Sequence, residues 1–114
     1  MLQKIIIDTD PGIDDAMAIH MAFADTRLEV VGLTSIFGNV TTAIATRNAR
    51  RLAEMAHYKT LIAEGATVPL VRAPEPPADF VHGAEGFGNV PASTPTGTPD
   101  ARSAAQFLVD CCAA

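Results

Sequence analysis

Four aspartates fall within eight residues, in the run Asp8-Thr9-Asp10-Pro11-Gly12-Ile13-Asp14-Asp15. A single acid in such a run reads as a helix N-cap or a solvated first-turn residue. Four are harder to accommodate, because crowded carboxylates repel one another unless something neutralises them. A helix N-terminus helps, but its macrodipole supplies only about half a unit charge. A hard cation with oxygen ligands answers the need better. Asp10 and Asp15 can approach one ion from the loop and from the first helical turn. Asp14, one step round the helix, points elsewhere and is free for a second task.

The elements that must position these acids can be read outward from them. Ile5-Ile6-Ile7 is a continuous β-branched run opening onto Asp10-Pro11-Gly12, and predicts a buried parallel strand. Helical spacing from Ile13 to Ala24 puts Ile13, Met17, Ala18, Met21 and Ala22 on one face, with Asp10 or Gly12 as the cap. Leu28 to Phe37 predicts a second strand ended by Gly38-Asn39. Thr41 to His57 predicts a helix with Ile44, Leu52 and Met55 inward and Arg47, Arg50 and Arg51 as a solvated face. Leu61 to Ala63 predicts a third strand. This alternation is the pattern of a parallel, Rossmann-like α/β sheet with flanking helices and right-handed crossovers. In such sheets ligands bind beyond the carboxyl ends of the strands, which is where the aspartates fall.

The composition changes after the third strand. Residues 68–99 hold seven of the eight prolines and half of the glycines, and read as one long loop. Residues 100–114 return to helix, with Ala104, Ala105, Leu108, Val109 and Cys112 as the apolar face. Adjacent cysteines, Cys111 and Cys112, are poorly placed to bridge each other and read as core residues of that helix. The net charge of −5 argues against nucleic acid or an anionic membrane as partner. The N-terminal apolar run is too short for a signal peptide, so a soluble cytoplasmic protein is expected.

Several of these segments, taken in order, resemble one family. Asp8 to Ala16 resembles the signature of the inosine-uridine preferring nucleoside hydrolases. Thr34 to Val40 is similar to that family's second strand, which ends in Gly-Asn. Thr46-Arg47-Asn48-Ala49 is similar to its second helix, and Gly65 with Pro69-Leu70 to the turn that follows. His82-Gly83-Ala84-Glu85-Gly86-Phe87-Gly88 is similar to its His-Gly-X-X-Gly-X-Gly loop.

The resemblance implies calcium-dependent hydrolysis of the N-glycosidic bond of a ribonucleoside, giving free base and ribose. By matching position, Asp10 is a Ca²⁺ ligand and the general base for the attacking water, and Asp15 is a second ligand. Asp14 and Asn39 hold ribose hydroxyls, and Asp8 supports the loop from behind. Separately, Gly83, Gly86 and Gly88 suggest a mobile segment that could close over a base, with His82 contacting it. Members of the family are well over twice this length and assemble as homo-oligomers. Residues 1–114 are therefore expected to form one incomplete α/β domain, the N-terminal portion of the fold, with 68–99 as an active-site loop region.

Two other readings compete. Ile5 to Asp10 also fits the first strand of a haloacid dehalogenase-type phosphatase, although Asp14-Asp15, Asn39 and the His82 loop then go unexplained. Alternatively, the chain is a truncated, non-catalytic fragment holding part of a site.

Overall fold

The computed structural model describes residues 1–88, 90 and 93–113. Residues 89, 91 and 92 of the expected loop, and residue 114 of the expected last helix, lie outside them. The order is β1 (Gln3–Thr9), α1 (Ile13–Ala24), β2 (Leu28–Ser35), α2 (Thr42–Met55), β3 (Leu61–Ala63), α3 (Asp79–His82) and α4 (Ala104–Ala113). The three strands form one parallel sheet in the order β1-β2-β3. The expected α/β architecture is present.

Strand β2 is central, and Val30 and Leu33 on it are almost wholly buried. β1 lies at an edge, so Ile5, Ile6 and Ile7 are half-buried rather than enclosed as expected. Alternation along β1 sends Ile5 and Ile7 to one core and Ile6 to another. The first core gathers Ile19, Val30, Leu33, Ala49, Leu52, Ala53 and Ile62 between the sheet and helices α1 and α2. The second holds Ala63, Ala104 and Phe107 beneath α4. Phe107 lies against Gly32, where a Cβ would overlap its ring. The pairing slips between Ile5 and Ile6, and the Val30 amide there donates to Tyr58 Oη at 2.9 Å.

Three of the expected faces are corrected. On α1 the buried residue is Ile19, while Ile13, Met17 and Met21 are exposed. On α4 the inward residues are Ala104, Phe107 and the half-buried Cys111, whereas Val109 and Cys112 are exposed. On α2 Leu52 is buried but Met55 is exposed. In each case apolar spacing marked a stripe without fixing which neighbour covers it. The sheet order decides that.

The stretch read as one loop is not uniform. It contains α3 and the tight turn after it, which close with Gly88 N–H donating to the His82 carbonyl at 2.7 Å. Beyond it the chain returns to the sheet, where the Asp100 amide bonds the Ile62 carbonyl and the Ala104 amide bonds that of Glu64. No helix among the described residues is long and apolar enough to cross a membrane.

Candidate active site

The site is built where β1 and β2 end. Thr9 is the last residue of β1 and pairs with Ser35, so the loops that follow leave the sheet side by side. Gly12 takes the N-cap position of α1 in an extended conformation, without a side-chain cap. Asp10 is therefore not the cap, and its carboxylate is free to face the neighbouring loop.

That loop receives it. The Asn39 amide donates to Asp10 Oδ2 at 2.7 Å. Gly38 lies against the same oxygen, and a methyl group there would overlap it. Asp15 reaches back from the first turn of α1, where the Thr9 hydroxyl donates to its Oδ2 at 2.6 Å. The Asp10 and Asp15 carboxyls come within hydrogen-bonding reach of each other. Burial raises the pKa of Asp10 above its ordinary value. The Asp15 carboxyl raises it further, against the opposing pull of the Asn39 amide.

The other expected residues surround this pair. Asp14 is exposed, with its carboxylate 4.0 Å from His82 Nδ1. His82 sits at the start of α1, where its Nδ1 accepts the Ile13 amide at 3.2 Å and its ring fills the space a Cβ on Gly12 would need. Asn39 is half-buried and meets Asp10 through its backbone. Asp8 accepts the Thr34 hydroxyl at 2.7 Å across the strand pair, and its bond is to β2 rather than to the loop. Asp10, Asp15 and Asn39 are thus brought together, with Asp14 and His82 beside them.

The helix α2 arginines are not a solvated face. Arg47 pairs with Glu85, Arg50 donates to the carbonyls of Pro95, Thr96 and Gly97, and the Arg51 guanidinium lies 5.6 Å over the Phe87 ring. Between them Asn48 is fully buried, and its amide reaches both Pro11 and Glu85. Sequence reasoning assigned Asn48 no role. Its one local signal was a short polar residue within a helix, where an amide is unfavourable unless it finds a partner.

The donors suit a hard cation only in part. Asp10 and Asp15 offer adjacent oxygens, and burial together with the neighbouring Asp15 carboxyl raises the pKa of Asp10. Among the described residues, no three His, Cys, Asp or Glu side chains converge as a metal cage. A groove lined by Glu29, Arg50, Glu54, His57 and Lys59 lies where β2 and β3 begin, away from this pair.

Comparison with known proteins identifies the family. The family model for the inosine-uridine preferring nucleoside hydrolases matches residues 5–114. The chain belongs to this family. It is 51% identical over 107 residues to uridine nucleosidase 1 of Arabidopsis thaliana, covering 93% of this chain and 32% of that protein. It is 40% identical over 112 residues to the inosine-uridine preferring nucleoside hydrolase of Leishmania major, covering 96% of this chain and 35% of that one. A plant nucleoside hydrolase structure superposes with a TM-score of 0.90 at 44% identity, over 96% of this chain and 35% of its own. The chain thus spans about a third of the length of the relatives it matches. The family match sets the phosphatase alternative aside.

Proposed function

We propose that this chain supplies the N-terminal half of a calcium-dependent ribonucleoside hydrolase site, which cleaves the N-glycosidic bond to free base and ribose. The observation that carries this reading is the Asp10–Asp15 pair at the carboxyl end of the sheet, with Asp10 held above its ordinary pKa. Family membership supplies the reaction class.

In this reading Asp10 and Asp15 hold the cation, for which oxygen-only donors favour calcium. A bound divalent cation lowers the pKa of a coordinated water and orients it. Asp10, beside that water, would accept its proton as general base. Its oxygen is kept in place by the Asn39 amide and the absence of a side chain at Gly38. Asp14, exposed beside the pair, and Asn39 hold ribose hydroxyls and favour the oxocarbenium-like geometry of glycoside cleavage. His82 faces the base, and Asp8 fixes the end of β1 against Thr34. A cytoplasmic setting and homo-oligomeric assembly belong to the same proposal.

Two carboxylates are a partial donor set. These 114 residues alone are therefore expected to bind calcium weakly and to turn over little nucleoside. The reading is tested by titrating ribose into the chain and following amide NMR shifts, with calcium and then with a chelator. Calcium-dependent shifts clustered at residues 10–15 and 38–40 are expected. Shifts elsewhere, or shifts indifferent to calcium, would refute it.

A further inference from the structure

Asn48 is remote in sequence from every acid of the site, yet it is wholly buried next to them. Its Nδ2 donates to the Pro11 carbonyl at 3.0 Å and to the Glu85 carbonyl at 2.8 Å, which uses both amide protons. Its Oδ1 accepts from Arg47 Nη2 at 3.3 Å, and the same guanidinium nitrogen pairs with the Glu85 carboxylate. Pro11 follows Asp10 directly and lies just ahead of the helix cap, Gly12. Glu85 lies in the turn that begins at His82. One side chain therefore ties the carboxylate turn and the glycine turn to helix α2.

The packing leaves no slack at this junction. Gly86 adopts φ +86°, and a Cβ on it would lie 2.8 Å from Asn48 Nδ2, 2.9 Å from Pro11 O and 3.0 Å from Val40 Cγ1. The glycine turn thus docks straight onto Asn48 and Pro11. At its other end His82 accepts the Ile13 amide. The carboxylate turn is gripped twice, at Pro11 by Asn48 and at Ile13 by His82. Asp10 lies one residue before the first grip, and Asp15 two residues after the second.

We infer that Asn48 is a positioning residue of the carboxylate site, locking the Asp10–Asp15 turn and the 82–88 turn into one unit so that the sugar end and the base end keep a fixed spacing. This rests on the proposed function for what the unit binds. The lock itself rests on the hydrogen bonds alone. Thr46 provides the control. It is equally buried on the same helix, but its hydroxyl meets Ser35 and the Thr42 carbonyl and touches neither turn.

The test compares Asn48→Ala and Thr46→Val by amide hydrogen exchange and calcium titration, with Asn48→Ser, which keeps one donor, as a milder variant. In Asn48→Ala the Ile13 and Gly88 amides should exchange faster relative to Leu33 than in Thr46→Val, with Asn48→Ser between them. Calcium affinity measured with ribose present should fall roughly ten- to a hundredfold in Asn48→Ala and stay within about twofold in Thr46→Val, the range seen when residues behind metal ligands are removed. If Asn48→Ala does not fold, the Asn48→Ser comparison decides alone. Ile13 exchange in the Asn48 variants matching that in Thr46→Val would overturn the lock. A wild-type chain that binds no calcium would instead overturn the proposed function, and the exchange result would still decide the lock.

Discussion

Residues 68–78 and 79–88 look alike in sequence, both rich in turn formers and poor in periodicity, yet the chain treats them differently. From Leu70 to Pro77 every residue is exposed, and the Arg72–Glu75 pair is open at 3.7 Å with both side chains over 80% exposed. In the second segment Gly86 is buried, His82 meets the start of α1, Glu85 meets Arg47 and Asn48, and Phe87 lies under Arg51. Composition does not separate the two. What separates them is whether helix α2 offers partners to the backbone that passes over it. Prolines 74, 76 and 77 bring no amide to such a contact, whereas the glycines let the chain come close enough to make one.

The contrast can be broken at its tightest point. Gly86→Ala combines a left-handed backbone with overlap against Asn48, Pro11 and Val40, and should cost about 2–3 kcal/mol. Val71→Ser, fully exposed in the first segment, should stay within about 0.5 kcal/mol of the original. Urea unfolding of both variants measures the difference, and equal costs would show that the second segment is no better anchored than the first.

A smaller effect sharpens the picture at the acids. Asp10 keeps its proton to higher pH in the folded chain than in the unfolded one, because burial and Asp15 both oppose its charge. Between the ordinary value of 3.8 and the raised one, the folded chain therefore binds more protons, and stability falls as pH rises through that window. The penalty persists at neutral pH. Asp10→Asn, neutral and of the same shape, should raise the thermal midpoint by a few degrees near pH 7 and leave it close to the original near pH 3. A lower midpoint near neutrality would mean that Asp10 is stabilised as an anion, contrary to this account.

Much of this was legible in the sequence. A β-branched run ending in four acids located β1, its turn and the acids at the sheet's carboxyl edge. Consecutive parallel strands placed Asn39 beside Asp10. The inward face of α1 was not legible, because Met17 and Met21 obey helical spacing as well as Ile19 does, and only the sheet order decides which side is covered. The roles of Arg47 and Asn48 were hidden for a related reason. Charges and amides at helical spacing look solvated until a segment far along the chain folds across them, and no local pattern announces that segment.

The central claim is that Asp10 and Asp15 together form half of a calcium site, and calorimetric calcium titration tests it most directly. The original chain should bind one ion weakly, and Asp10→Ala and Asp15→Ala should each abolish that binding while the fold is retained. Calcium binding of unchanged strength in both variants would contradict the account.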